Sequence, residues 1–199
     1  MSTSPGMRNS APLPASAASG RLRSSAIREL LSLTDRPELI SLAGGLPAPE
    51  TFPALELRAV VDELLADRAE TVLQYSATEG HPGLRAWVAG RAGVTPDHVV
   101  ITSGAQQALE LVVRATVDPG TPVALADPGY VGMIQALQLA GADLVGVPAT
   151  DEAFDVGHLA DRLAAGLRPA LVYVVASFHN PTGATLGACL LYTSDAADE

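Results

Sequence analysis

Beyond Pro96, short valine-rich apolar runs alternate with longer stretches in which apolar side chains recur every three or four residues. Short apolar runs are typical of buried strands, whereas the longer period is that of helices that bury one face. The alternation predicts stacked β-α-β units around a parallel sheet, and therefore an α/β fold. The predicted strands are 98–102, 122–126, 143–148 and 170–176, and the predicted helices are 105–116, 131–140 and 156–165.

The pattern is less regular before Pro96. Residues 1–20 mix Ser, Ala, Pro and Gly without apolar periodicity, which predicts a flexible arm. Residues 24–33 carry apolar side chains at helical spacing behind a serine, which predicts a short amphipathic helix. The segment 41–53 contains two glycines and three prolines, so it is predicted as an ordered loop or bent extended segment, with a helix over 54–70 after it.

Composition narrows the classes of partner. The chain has 199 residues, 48% of them hydrophobic, which is enough for a globular core. Its net charge of −10 disfavours nucleic acid and anionic membranes, because both bind basic surfaces. No apolar run approaches the roughly 20 residues that span a bilayer, and no signal peptide is recognisable, so we expect a cytoplasmic protein that binds small molecules. A single cysteine, Cys189, predicts neither an internal disulfide nor a structural metal site.

The basic residues are unusual, because all 12 of them are arginines and the chain contains no lysine. Arginine holds its proton too tightly to form an imine with a carbonyl compound. Any mechanism that needs a lysine imine is therefore closed to this chain.

Three segments that follow predicted strands are candidates for a binding site, because open α/β sheets bind ligands at the carboxyl ends of their strands. Residues 103–107 (SGAQQ) form a small-residue turn that opens a helix and directs backbone N–H groups outward, as a phosphate cradle does. Residues 127–130 (DPGY) present an aromatic ring on which a flat ligand could stack. Residues 180–183 (NPTG) form a turn that leaves an amide at the rim. Taken singly, each could instead be a packed turn or a packed tyrosine.

Together, the three segments suit a ligand with a phosphate, a planar ring and a hydroxyl or phenolate group. Five motifs, SLAGGLPAPETFP, QYSATEGHPGLR, SGAQQAL, DPGY and NPTG, resemble in order and spacing the fold type I aminotransferases that use pyridoxal phosphate. The resemblance covers about residues 20–187 and is to class I/II, in the branch that acts on aminoadipate, kynurenine and similar substrates. It implies a three-layer large domain, with a parallel-rich sheet, helices on both faces and an N-terminal helical arm.

The resemblance also implies roles for individual residues. Cofactor phosphate would bind at Gly104, Ala105 and Gln106, while Tyr130 stacks on the ring and Asn180 binds the ring oxygen and substrate. Tyr75 would reach the phosphate of a neighbouring subunit, which implies a homodimer, although it could instead be an ordinary buried tyrosine. The substrates would be an amino acid, acidic or bulky, and a 2-oxo acid. They would contact Ser25, Arg28 and Gly45. Arg28 could pair with a substrate carboxylate, although it could instead be a solvated charge on the helix.

Two positions depart from the family pattern. Ala105 stands where relatives often have a hydroxyl residue, and His179 precedes NPTG where glutamine is common; we expect His179 to have a packing role. The family's Schiff-base lysine would lie after NPTG, so we expect a truncated, inactive N-terminal fragment without a catalytic residue. Residues 189–199 (CLLYTSDAADE) resemble the translation of a sequencing adapter. The expected domains are an arm (1–20), a helix and substrate-covering loop (21–52), a partial cofactor domain (53–188) and a non-native tail (189–199).

Two alternatives share these motifs. One is a lyase of the same fold that uses the same cofactor, and the other is a transcriptional regulator with an aminotransferase-like domain. A nucleotide-binding domain is disfavoured, because neither GxGxxG nor GxxxxGK[ST] follows a predicted strand.

Overall fold

A computed structural model describes residues 15–21, 45–149, 151 and 153–187. The predicted helix over 24–33, with Ser25 and Arg28, lies outside the described residues, as does the segment 189–199. The chain divides into two compact units. We call Ser24–Ala108 the first unit, and Met1–Arg23 together with Leu109–Glu199 the second unit.

The first unit contains two helices, α1 (Ala54–Val72) and α2 (Pro82–Ala92), and short 3-10 turns at Pro49–Thr51 and Pro96–His98. Helix α1 confirms the predicted helix over 54–70 and is interrupted at Arg68, whose φ of −140° and ψ of 24° are not helical. No residue of α1 is buried, and Leu55 is 81% exposed. Packing of an apolar face against the rest of the first unit therefore does not explain why this helix forms.

Helix α2 was not predicted, although its ends are well defined. The His81 side chain accepts a hydrogen bond from the N–H of Gly83 at 3.1 Å, and Pro82 occupies the first helical position. Proline is favoured there because its fixed φ suits a helix start and its missing N–H costs nothing. Gly93, at φ +71°, ends the helix in the left-handed conformation.

The predicted strand over 98–102 is wrong. Residues 99–102 follow a 3-10 turn and pair with no strand among the described residues. Their backbone groups have other partners, since Ile101 donates to the carbonyl of Glu79 and the carbonyl of Val99 accepts from Arg85. An apolar run alone does not distinguish a strand from an extended segment held in this way.

The second unit carries the sheet. Its chain order is α3 (Ala105–Thr116, which begins in the first unit), β1 (Pro122–Asp127), α4 (Val131–Ala140), β2 (Asp143–Pro148), α5 (Val156–Ala164) and β3 (Leu171–Tyr173). Strand order is β2-β1-β3, and β1 is parallel to both neighbours, with Val123 opposite Leu144 and Leu171. The α/β fold with a parallel sheet is confirmed, with β3 shorter than the predicted 170–176.

Side chains alternate along β1 between two cores, as the pleat of a strand requires. Val123 and Leu125 pack with buried residues of α3 and α4, namely Val113, Met133, Ala136 and Leu137. Ala124 and Ala126 pack on the other face with Val147, Ala153, Phe154 and Leu186, and Leu159 of α5 joins them. Helices therefore cover both faces of the sheet, and the second face is also covered by the segment around Leu186.

Residues 15–21, at the end of the predicted arm, contact helix α4 within the second unit. They include a 3-10 turn over Ser19–Arg21. The guanidinium of Arg21 donates to the carbonyl of Leu139 at 3.4 Å, at the end of α4. A Cβ added to Gly141 would lie 2.6 Å from Arg21 Nη1, so glycine leaves room for this contact.

Candidate functional site

The loop of residues 103–107 lies at the start of α3 in the first unit. Gly104 has φ +124°, a conformation that L side chains rarely adopt. Thr102 Oγ1 donates to the Gly104 carbonyl at 3.1 Å, and the Ser103 N–H donates to Gln107 Oε1 at 2.6 Å. Ala105 and Gln106 are exposed at the amino-terminal end of the helix, where the helix dipole favours an anion. The loop therefore has the form of an anion cradle.

Tyr75 is also in the first unit and is 98% exposed. The alternative of an ordinary buried tyrosine is therefore wrong. Its backbone N–H donates to the Gln74 side chain at 2.8 Å. The exposed phenol is available to a molecule outside its own unit. Gly45, in the same unit, is exposed and has φ +55°.

The DPGY segment connects β1 to α4 in the second unit. A Cβ on Gly129 would clash with the carbonyl oxygen of Ala126, so the tight turn requires glycine. Tyr130 is the N-cap residue of α4, and its carbonyl accepts from Met133 and Ile134 at 3.1 Å each. Its ring is half-buried against the core between the sheet and α4. The turn therefore fixes an aromatic ring just beyond β1.

Tyr173, the last residue of β3, is a neighbour of Tyr130 that sequence reasoning missed. Burial raises the pKa of the Tyr173 phenol above its ordinary value of 10.0, and the negative charge of an ionised Tyr130 raises it further. Tyr130 and Tyr173 also pack against the same core, at the segments where β1 and β3 end. The only available sequence signal was a tyrosine at the end of an apolar strand.

The NPTG segment is the tip of a narrow loop in the second unit. Leu186 donates its N–H to Ala176 at 2.8 Å, and His179 donates its N–H to Ala184 at 2.7 Å, so the two arms of the loop pair. His179 is 2% exposed, and its Nδ1 lies 2.8 Å from Thr182 Oγ1. This burial confirms the expected packing role of His179, while Asn180 stays exposed at the tip.

Tyr130 and Asn180 follow two strands that are hydrogen-bonded neighbours. β1 ends at Asp127 and β3 at Tyr173, and the strands are parallel, so both residues lie on segments that leave the same edge of the sheet. A cavity of about 230 Å³ opens at the same end of β1, and its lining includes Asp127, Gly129 and Gly146. The structure thus places these two candidates on one edge, while Gly104, Ala105, Gln106, Tyr75 and Gly45 belong to the first unit.

Across residues 15–21, 45–149, 151 and 153–187, no helix is long and apolar enough to cross a membrane. The His, Cys, Asp and Glu side chains in these described ranges also form no group of three or more that could hold a metal ion.

Comparison with known proteins gives a consistent result. A 2-aminoadipate transaminase of Thermus thermophilus is 49% identical over 164 residues, which are 82% of this chain and 41% of that protein. The crystal structure of α-aminoadipate aminotransferase from Thermus thermophilus, complexed with N-(5'-phosphopyridoxyl)-L-leucine, matches with a TM-score of 0.81 and 41% identity. The match covers 92% of this chain and 46% of that one.

A kynurenine aminotransferase of Pyrococcus horikoshii matches with a TM-score of 0.80 and 35% identity, over 92% of this chain and 48% of that one. Helix-turn-helix transcriptional regulators of Bacillus subtilis also match, at 29% identity. The chain spans less than half the length of these relatives. The model of the family described as aminotransferase class I and II matches residues 38–188. This match covers most of the chain, which therefore belongs to the class I and II aminotransferases.

Proposed function

We propose that this chain carries the cofactor-binding part of an aminotransferase that uses pyridoxal phosphate. The observation that carries the proposal is the placement of Tyr130 and Asn180 on segments that leave one edge of a parallel sheet. Parallel α/β sheets bind their ligands at that edge. The whole protein would transfer an amino group between an amino acid and a 2-oxo acid.

The residues fit the three chemical parts of the cofactor. The exposed turn at Gly104, Ala105 and Gln106 suits a phosphate, because a helix start favours an anion. The ring of Tyr130 suits stacking on a planar heterocycle. The exposed amide of Asn180 can donate to a ring oxygen. When bound, the cofactor supplies an electron sink for the substrate carbon.

A homodimer is part of the proposal. Tyr75 is 98% exposed, which suits a side chain that binds the phosphate held by a second subunit. Each site would then be complete only in the dimer.

The proposed amino donor is aminoadipate, glutamate or a related acidic or bulky amino acid. Support comes from the 49% identity with a protein named 2-aminoadipate transaminase. Ser25, Arg28, Gly45 and Asn180 would contact the substrate, with the Arg28 guanidinium opposite a carboxylate. The regulator alternative has weaker support, since the helix-turn-helix regulators share 29% identity.

Binding of pyridoxamine 5'-phosphate tests the proposal, because this form of the cofactor needs no lysine. We expect the chain to bind it more tightly than pyridoxamine, which lacks the phosphate, in a calorimetric titration. Gly104→Ala should weaken binding of the phosphate compound about tenfold, because a Cβ strains the backbone at φ +124°. Asn180→Ala should weaken binding of both compounds about tenfold, since one hydrogen bond is lost.

Gly90→Ala is the matched control. Gly90 lies inside α2, and a Cβ there meets nothing within 4 Å, so the helix gains stability and the affinity should not change. Equal affinity of the wild-type chain for the compounds with and without phosphate would contradict the proposed cradle.

A further inference from the structure

Arg85 joins α2 to the extended segment that precedes the 103–107 loop. Its Nε donates to the carbonyl of Val99 at 2.8 Å, and its Nη2 donates to the carbonyl of Pro96 at 2.6 Å. Only 17% of its side chain is exposed. A carboxylate oxygen of Asp97 is 3.8 Å from Nη2, and the Asp97 side chain is 95% exposed. Because an exposed ion pair contributes little, the two carbonyl bonds are the main contact.

A second contact holds the same segment through Glu79, which precedes α2. The N–H of Ile101 donates to the carbonyl of Glu79 at 2.9 Å. Gly80 has φ +104°, and a Cβ there would lie 2.5 Å from Cβ of Ile101. Glycine therefore allows the two backbones to approach closely, and residues 79–85 hold both Val99 and Ile101.

These bonds take the place of strand pairing, since residues 99–102 pair with no strand in the part of the chain that the structure describes. Buried or half-buried backbone carbonyls need a donor, and Arg85 supplies it to Val99, which is 8% exposed. The 103–107 loop begins two residues after Ile101, and its own bonds, from Thr102 to Gly104 and from Ser103 to Gln107, are internal. The anchor that fixes the loop relative to the rest of the first unit therefore lies at residues 96–101.

We infer that Arg85 is a positioning residue, which holds the 103–107 loop in the orientation that receives the cofactor phosphate. Its guanidinium bonds to the backbone carbonyls of Pro96 and Val99, and it would act through them rather than by binding cofactor or substrate. The part of the inference that concerns the cofactor phosphate rests on the proposed function. The anchoring itself is a property of the chain alone.

The first arm of the test measures amide hydrogen exchange of residues 99–104 in the full chain without ligand. Arg85→Met should speed exchange at Ile101 and Ser103 at least about tenfold, because two bonds to a charged donor are lost. Lysine retains the charge but cannot place two donors in a fixed fork. The exchange rates in Arg85→Lys should therefore lie between those of the wild type and Arg85→Met. Arg91→Met is the control on the same helix, since Arg91 is exposed and lies 5.1 Å from the Trp87 ring centroid.

The second arm measures the affinity for pyridoxamine 5'-phosphate and for pyridoxamine in the same variants. Arg85→Met should weaken binding of the phosphate compound about tenfold and leave binding of pyridoxamine unchanged, with partial rescue by Arg85→Lys. If Arg85 only stabilised the fold, Arg85→Met would weaken the binding of both compounds equally. That result would overturn the inference. Exchange at Ile101 that is the same in Arg85→Met and the wild type also overturns it. Failure of the wild-type chain to bind either compound instead contradicts the proposed function. The exchange arm needs no ligand, so it still tests the anchoring by Arg85 in that case.

Discussion

His179 and Thr182 stabilise the turn that carries Asn180 through a side-chain bond of 2.8 Å. The backbone N–H of Ala184 also reaches Thr182 Oγ1, at 3.3 Å, so the hydroxyl joins both arms of the loop. Because His179 is buried, its imidazole both fills space and satisfies a polar partner. A residue adjacent to a proposed cofactor ligand can therefore act on the site without touching the cofactor.

His179→Ala should lower the free energy of unfolding by about 2 to 4 kcal/mol, because it leaves a cavity and removes the bond to Thr182. His179→Gln should cost about half as much, since an amide can still bond to the hydroxyl. Urea unfolding followed by circular dichroism measures both.

His98 offers a matched control, because its Nδ1 makes the same kind of bond with Thr95 Oγ1, at 2.9 Å, on the exposed surface. His98→Ala should change stability by less than about 1 kcal/mol. Equal losses of unfolding free energy in His98→Ala and His179→Ala would contradict the expectation that burial makes the His179–Thr182 pair more stabilising.

At the scale of elements, Tyr173 at the end of β3 and Tyr130 at the start of α4 pack against the same core. The raised pKa of Tyr173 means that the folded chain favours its neutral phenol. The resulting stability is fully present below the unfolded-state pKa near 10.0 and is lost as pH rises through the higher folded-state pKa.

We therefore expect the unfolding free energy of the wild-type chain to fall more steeply above pH 10 than that of Tyr173→Phe. Urea unfolding at a series of pH values from 8 upward, about half a unit apart, measures the difference. Tyr75→Phe, which removes a 98% exposed phenol, gives the comparison. Parallel pH dependences for Tyr173→Phe and the wild type would contradict the expectation.

The sequence correctly predicted the elements in which the spacing of apolar residues follows the face that the element buries. Helices α3, α4 and α5 and strands β1 and β2 lie within one residue of the predicted bounds. Helix α2 was not predicted, although His81, Pro82 and Gly93 are ordinary signals of a helix start and end. The segment 98–102 was misassigned because its partners, Arg85 and Glu79, are tertiary contacts that no local pattern reveals.

Among the candidate site residues, local sequence signals were again recognisable, whereas tertiary contacts were not. The sequence identified the turns at Gly104, Tyr130 and Asn180, because glycine and proline mark such turns directly. It did not reveal the bonds of Arg85 to the backbone of Pro96 and Val99, or that Tyr173 shares a core with Tyr130. Both depend on which side chains folding brings together.

For the whole molecule, the absence of lysine limits what the chain can do. The resemblance to aminotransferases implies a lysine that forms the Schiff base, and none of the 12 basic residues is one. We expect the 199-residue chain, supplied with pyridoxal phosphate, glutamate and a 2-oxo acid, to form no more product than the free cofactor does. Chromatography of the amino acid products measures this. Turnover that rises in proportion to the chain's concentration would contradict it.

The alanines on one face of β1 set how far the loop carrying Asn180 stands from the sheet. Ala124 and Ala126 belong to one core with Leu186 and Ala184 of that loop, and the strand contributes only methyl groups to it. A bulkier residue at position 124 would act as a spacer and lift the loop as a unit, because the interior has no slack to absorb the added volume. The reach of the Asn180 amide could thus be adjusted from the sheet side, by protein engineering that changes none of the proposed cofactor ligands.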